Sequence, residues 1–226
     1  MLRPLYQDAP RLLRLTQVHR PRICPMADVL ETIPPGSRTL DVGCGGGSLL
    51  MLGVLTGRVA SGVGFDSSRP AIEAAQRARA RLPSPDALRF EHRRVQDGWP
   101  PGLFDAVTII DVLHHVPPAA QAGVIQLAAA RLAPGGLLIY KDMCARPRWR
   151  AAANRAHDLL MARQWIHTPP VGQVEGWAAG LGLSLVRSLD RSVLWYGHEL
   201  RAFCAPPGGA VGGGGGVGGV RRPEPS

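Results

Sequence analysis

Lysine is almost absent from this 226-residue chain: Lys141 is the only lysine among 26 basic residues, and the others are arginine. Cysteine is scarce as well. Cys24, Cys44, Cys144 and Cys204 are the four, and no two form a C-x-x-C pair. The spacing therefore suggests neither a zinc site nor a dithiol redox motif. With no secretory leader in evidence, the expectation is reduced thiols in a cytoplasmic protein. Unbroken apolar runs fall far short of the roughly 18 residues that a membrane-spanning helix needs. Acidic residues are outnumbered, and the net charge is +9. A nucleic-acid binder gathers its positive charge into a patch or stripe. Here the arginines are scattered among 28 glycines, 21 prolines and abundant alanine. The charge is read as compositional bias, and nucleic acid is disfavoured as a partner.

What the chain does have is a core: 45% of its residues are hydrophobic, enough for one sizeable domain. Residues 1–25 mix Leu2, Leu5, Leu12, Leu13 and Leu15 with arginines. They read as a helical segment, either a lid, a packing helix or a surface helix in peripheral contact with a membrane. Met26 to Ile33 reads as a short helix ended by Pro34-Pro35-Gly36. From there strand and helix alternate. Strands are expected at 38–43, 61–66, 88–94, 104–110 and 136–141, and helices at 47–57, 69–82 and 118–132. Residues 145–167 and 171–181 read as further helices. Leu183–Leu189 and Val193–Cys204 read as an antiparallel pair turning near Asp190-Arg191-Ser192. The Gly-rich tail, 206–226, cannot bury enough apolar area to order itself and is expected to be disordered. Alternation of this kind implies an α/β fold with a parallel sheet and helices on both faces. Ligands in such folds bind beyond the carboxyl ends of the strands.

The most informative stretch is Thr39-Leu40-Asp41-Val42-Gly43-Cys44-Gly45-Gly46-Gly47, a strand running into a glycine-rich turn. Many nucleotide sites use such a turn, and Asp41 separates them. A pyrophosphate would be repelled by this carboxylate, whereas a ligand with an ammonium group would be held. The spacing also departs from the dinucleotide Gly-x-Gly-x-x-Gly pattern, because Ser48 stands at the third small position. S-adenosylmethionine, with an amine and a sulfonium, fits better than NAD. A second strand ends at Asp66, 19 residues past Gly47. An acidic residue near this distance is the usual partner of ribose hydroxyls, although Asp66, Ser67 or Ser68 could also cap the following helix. Gly43, Asp66, Asp97 and Asp111 all fall at or just beyond strand ends.

With these residues in view, the chain resembles the class I S-adenosylmethionine-dependent methyltransferases. The resemblance rests on Leu40–Gly47, Gly64-Phe65-Asp66, Phe104-Asp105-Ala106-Val107, Asp111-Val112-Leu113-His114-His115-Val116-Pro117 and Leu132-Ala133-Pro134-Gly135-Gly136-Leu137-Leu138. It spans about residues 26–205, which are taken as the methyltransferase domain. The Asp111–Pro117 form is most similar to the small-molecule branch, which includes ubiquinone and menaquinone C-methyltransferases, and to secondary-metabolite O-methyltransferases. The resemblance implies a Rossmann-like, doubly wound, mostly parallel seven-stranded sheet with an antiparallel last strand. It implies that Asp41 and the turn from Gly43 through Cys44 and Gly45 to Gly47 hold the methionine portion. Asp66 takes the ribose, Ser67 flanks the adenine, and Gln96 and Asp97 meet its amino group. Asp97-Gly98 could equally be an ordinary turn. Asp111 lines the sulfonium side.

Methyl transfer from a sulfonium is an in-line displacement whose main demand is alignment. A base is needed only where the acceptor must lose a proton, and histidine suits this near neutral pH. His115, His114 and His157 are the catalytic candidates, His115 being implied by the resemblance to face the cofactor. His167 is a further histidine in reach, and Trp149, Trp165, Tyr140 and Tyr196 are candidates for an aromatic wall. An Asn/Asp-Pro-Pro-Tyr signature is lacking after the fourth strand, which disfavours methylation of exocyclic base amines. No metal cluster is evident, although Asp111 and Asp142 leave a magnesium site open. The expected activity is O- or C-methylation of a small apolar or aromatic metabolite. A nucleic-acid methyltransferase and a non-catalytic S-adenosylmethionine-binding protein are the alternatives.

Overall fold

The computed structural model describes residues 1–10, 14, 15, 17, 24–143, 167–193 and 196–208. Seven strands form one sheet: β1 Ser37–Val42, β2 Val59–Asp66, β3 Leu88–His92, β4 Phe104–Ile110, β5 Leu132–Met143, β6 Ser184–Val193 and β7 Tyr196–Cys204. Their order is β3-β2-β1-β4-β5-β7-β6. The first five strands pair in parallel, and β7 runs antiparallel to both of its neighbours. The doubly wound, mostly parallel sheet expected from the sequence is the sheet observed. Strand order reverses between β1 and β4, which is where a crevice opens in folds of this kind.

Five helices are bounded among the described residues: α1 Met26–Thr32, α2 Ser48–Leu55, α3 Arg69–Arg79, α4 Pro118–Ala129 and α5 Val171–Gly180. They divide between the two sheet faces. Met26 and Val29 of α1, Leu49 to Leu52 of α2, and Ile72, Ala75 and Ala78 of α3 share a cluster with Ala106, Ile110, Ile139 and Leu200. Val124, Ile125 and Ala128 of α4, with Val174 and Ala178 of α5, pack on Leu40, Val42, Val107, Leu138 and Phe203. β4 is nearly all buried, as its continuous apolar sequence requires of a strand covered on both sides. Successive β5 residues point to opposite faces, so Ile139 joins one cluster and Tyr140 the other.

Two local expectations are corrected, and one open choice is resolved. The strand through Asp190-Arg191-Ser192 does not turn there. β6 continues to Val193, with Asp190 paired to Glu199 and Val193 to Tyr196, so the connection lies between Val193 and Tyr196. The polar run misled because β6 is a sheet-edge strand, where charged residues are at home. Tyr140 is no part of an aromatic wall, being fully buried in the core. The helix after β2 is capped by Ser68, whose side chain accepts from the Ala71 N–H, and Asp66 is left for other work. Trp149, Trp165, His157, all of the helix expected over 145–167 except His167, and nearly all of the Gly-rich tail lie outside the described residues, as does the Tyr196 side chain.

The N-terminal segment packs inward. Leu2, Leu5 and Tyr6 are buried with the α1–α3 cluster, and the Tyr6 hydroxyl donates to the Gly46 carbonyl at 2.6 Å. Each buried leucine contributes about 1.5–3 kcal/mol, more than the ~1 kcal/mol net of the hydrogen bond. Apolar burial therefore holds this segment, and the bond sets its position over the glycine turn.

Candidate functional site

The site grows from the tips of β1, β2 and β4. β1 ends at Val42, and the chain reverses through Gly43, Gly45 and Gly47, whose φ angles of 65°, 53° and 80° are left-handed. L residues other than glycine pay roughly 1–2 kcal/mol for that conformation. Space is short as well: a Cβ at Gly43 would lie 2.4 Å from Val112 Cγ2, and one at Gly47 would lie 2.6 Å from the Phe90 ring. The turn is thus wedged between the β4 loop and β3. Gly47 is also the N-cap of α2, so the first backbone N–H groups of that helix open towards the turn.

Asp66 fastens this turn. Its Oδ2 accepts from Gly45 N at 2.8 Å, and its Oδ1 accepts from Ser68 N at 2.7 Å. Each carboxylate oxygen has more than one lone pair, so a ligand hydroxyl can be accepted without breaking either bond. Asp41 lies beneath, 3% exposed, with Thr108 Oγ1 donating to its Oδ1 at 2.7 Å. A small pocket is lined by Asp41, Gly43, Cys44 and Ser48, together with Met26, Leu49 and Ile110. Cys44 is buried, its N–H bonded to the Phe65 carbonyl at 3.0 Å. No disulfide joins Cys24, Cys44 and Cys204.

The remaining sequence candidates divide. Ser67 is exposed beside Asp66. Gln96 and Asp97 are exposed in a reverse turn, where Asp97 Oδ2 accepts from Arg94 N at 3.0 Å. Asp111, at the tip of β4, is the one non-glycine with positive φ among the described residues, at 57°. Its Oδ1 accepts from Lys141 Nζ at 2.6 Å, and its N–H donates to the Lys141 carbonyl at 2.8 Å. Lys141 is 1% exposed. Burial pulls its pKa down, but the charge of the Asp111 carboxylate, with further help from Cys24 and Asp142, moves it above the ordinary lysine value. Lys141 is a buried cation.

The next residue of β5 serves the other face. Asp142 is fully buried. Its Oδ1 lies 2.5 Å from His114 Nδ1, and its Oδ2 accepts from His114 N at 3.3 Å. A carboxylate that is ionised only accepts, so the contact takes a hydrogen on Nδ1 of His114 when Asp142 carries its charge. His115 is exposed, its ring centroid 4.0 Å from that of His114. Gln121 Nε2 donates to the carbonyls of Leu113, Val116 and His167 at 3.1, 3.1 and 2.7 Å. His167 is itself exposed, and its N–H donates to the His114 carbonyl at 2.9 Å. Asp111 and Asp142, both open to metal binding on sequence grounds, are thus engaged by Lys141 and His114 from opposite faces of β5.

Sequence reasoning brought together Asp41, the glycine turn, Asp66 and Asp111. It missed the Lys141–Asp111 pair, the Asp142–His114 pair and Gln121. One signal was present for the first: a lone lysine inside a strand, in a chain that uses arginine everywhere else.

The profile of a methyltransferase domain matches residues 18–188. The chain belongs to this methyltransferase-domain family. It is 32% identical over 148 residues to the ubiquinone biosynthesis O-methyltransferase of Albidiferax ferrireducens, a match covering 65% of the chain and 52% of that relative. It is 34% identical over 174 residues to the protein of the same name from Alkalilimnicola ehrlichii, covering 73% of the chain and 68% of that relative. The chain therefore spans only about half the length of several curated relatives it matches. Among solved structures, the fold is shared with magnesium protoporphyrin IX methyltransferase from Synechocystis PCC 6803. The TM-score is 0.66 at 20% identity, covering 90% of this chain and 92% of that one.

Proposed function

We propose that the chain catalyses methyl transfer from S-adenosylmethionine to an oxygen or carbon atom of a small, apolar or aromatic acceptor. The observation that carries this reading is the Asp66 carboxylate, bridging Gly45 N and Ser68 N at 2.8 and 2.7 Å beside the left-handed glycine turn. The residues fit the cofactor from end to end. Asp41 offers a carboxylate to the ammonium of the methionine portion, and the N-terminus of α2 offers backbone N–H groups and a positive dipole end to its carboxylate. The Gly43, Cys44, Gly45 and Gly47 backbone lets the ligand approach closely. Asp66 would accept from the ribose hydroxyls, with Ser67 against the adenine and Gln96 and Asp97 near its amino group. Asp111 and its loop would border the sulfonium.

Bound there, S-adenosylmethionine supplies a methyl group already activated for in-line displacement. What the chain supplies is alignment and a dry setting. Lys141 and Asp142 fix the Asp111–Val116 loop from both faces of β5, so groups on it are preorganised. For a hydroxyl acceptor, the candidate proton acceptors are His115, exposed on the loop, and His114, buried with its Nδ1 against Asp142. His157 is a third. The names of the relatives, ubiquinone biosynthesis O-methyltransferase among them, support a hydroxylated aromatic ring as acceptor. A cytoplasmic setting is part of the proposal; no described helix is long and apolar enough to cross a membrane. Residues 26–205 are taken as the catalytic domain, with residues 1–25 as a segment closing over it.

The test is methyl transfer from tritiated S-adenosylmethionine to a panel of hydroquinones, catechols and simple phenols, with bulk RNA in parallel. Label in the organic extract is the expected result. Label confined to RNA, or none in any acceptor while the cofactor still binds, overturns the reading.

A further inference from the structure

On that reading, the ligand before the reaction and the ligand after it differ by one methyl group and one positive charge. S-adenosylmethionine is a sulfonium, and S-adenosylhomocysteine is a neutral thioether. Carboxylates around the crevice favour the charged form, and the way each is partnered decides by how much. Asp66 is held by two neutral backbone N–H groups. Asp111 is held by a full positive charge, Lys141 Nζ, at 2.6 Å.

The position of this pair gives it leverage on the sulfur. Val42 of β1 lies beside Ile109 of β4. The next residues therefore bring Ile110 beside the glycine turn, where both line one pocket with Asp41. Val112 abuts Gly43 from the other side of Asp111. With the ribose at Asp66 and the amino-acid end at Asp41 and α2, the sulfur that joins them would lie along the tips of β1 and β4, near Asp111. Lys141 is 1% exposed, so its charge is poorly screened by water.

We propose that Lys141 is a positioning residue that sets the balance between donor and product binding, by neutralising the carboxylate that would otherwise favour the sulfonium. A lysine that only pinned the left-handed backbone of Asp111 would affect both ligands alike, because they share every other group. A lysine that acts through its charge affects their ratio. The same device has a consequence for turnover: by withholding extra affinity from the cationic donor, it leaves the protein more sensitive to its own product.

The experiment is titration calorimetry of S-adenosylmethionine and S-adenosylhomocysteine against the full chain and three variants, read as the ratio of the two Kd values. Lys141→Met keeps the length of the side chain and removes the charge. The ratio should shift towards S-adenosylmethionine by about tenfold, the weight of one partly screened charge. Asp111→Asn leaves the cation without its anion, and the ratio should shift the other way by about as much. Lys141→Arg keeps the charge, and the ratio should stay within about twofold. Equal loss of affinity for both ligands in Lys141→Met, or an unchanged ratio in Asp111→Asn, overturns the proposal; the second arm stands even if the first variant does not fold. Failure of wild-type protein to bind either ligand would instead overturn the underlying reading of the site.

Discussion

The two halves of the crevice are built by different means. On the β1–β2–β3 side the geometry is made by backbone: left-handed glycines, a helix N-terminus, and one carboxylate that accepts from two N–H groups. On the β4–β5 side it is made by side chains that meet in pairs. Lys141 meets Asp111 at 2.6 Å, and Asp142 meets His114 at 2.5 Å. A backbone cradle suits the parts of a ligand that a reaction leaves alone, because it recognises shape with few titratable groups. On the proposed reading, paired side chains suit the side where an acceptor must be aligned and, for a hydroxyl, where a proton must move. The first half is fixed by which side chains are missing, and the second by which are present.

The contrast can be broken most forcefully on the charged side. His114→Leu takes away the ring that the fully buried Asp142 is bonded to, and should cost about 3–5 kcal/mol of stability, the weight of breaking one side of a buried pair. Denaturant unfolding measures it. The double variant His114→Leu/Asp142→Leu should regain most of that loss, because replacing both members of a buried pair is far milder than removing one. A double variant as unstable as the single one would mean that the pair is not the source.

The backbone side is next. Gly47→Ala places a methyl group 2.6 Å from the Phe90 ring at a φ of 80°. Strain and clash together should cost about 2–4 kcal/mol, read from the unfolding midpoint. A loss under about 1 kcal/mol, the ordinary range for an unstrained position, would show that the turn does not need its glycine there.

The smallest effect sharpens the comparison by taking a polar group out of the charged half. The Tyr140 hydroxyl is buried without a hydrogen-bond partner among the described residues. Burial first, and then the charges of Asp142 and Glu199, push its pKa well above the ordinary value of 10.0. Below that value both folded and unfolded chains keep the proton, so the group adds no pH dependence. As pH rises beyond it the unfolded chain ionises first, and stability falls. Tyr140→Phe should be neutral or stabilising by about 1 kcal/mol at pH 7. It should also flatten part of the stability loss above the ordinary tyrosine pKa, measured by thermal unfolding across alkaline pH. A large destabilisation at neutral pH would mean that the hydroxyl is bonded after all.

The same division explains what could be read from the sequence. Asp41, Gly43, Gly45, Gly47 and Asp66 were legible because each role is local: a strand end, a backbone conformation, a fixed spacing. The alternation of strands and helices was legible for the same reason, since β4 and α3 carry their burial in their own periodicity. The pairs of the other half join residues far apart in the chain, Asp111 to Lys141 and His114 to Asp142. Only the parallel register of β4 on β5, Ile110 beside Lys141, brings them together. Nothing in the spacing of Asp111 and Lys141 announces that contact. The end of β6 was misplaced because Asp190 and Arg191, turn-like by composition, are strand residues paired through tertiary partners, Arg201 and Asp28.

The measurement that bears most directly on the whole account is calorimetric binding of S-adenosylhomocysteine to the full chain and to Asp66→Ala. The account predicts saturable one-to-one binding by the wild type, and a loss of about 100-fold in the variant, the weight of two hydrogen bonds to a charged group. Undetectable wild-type binding, or equal affinity in the two proteins, would contradict it.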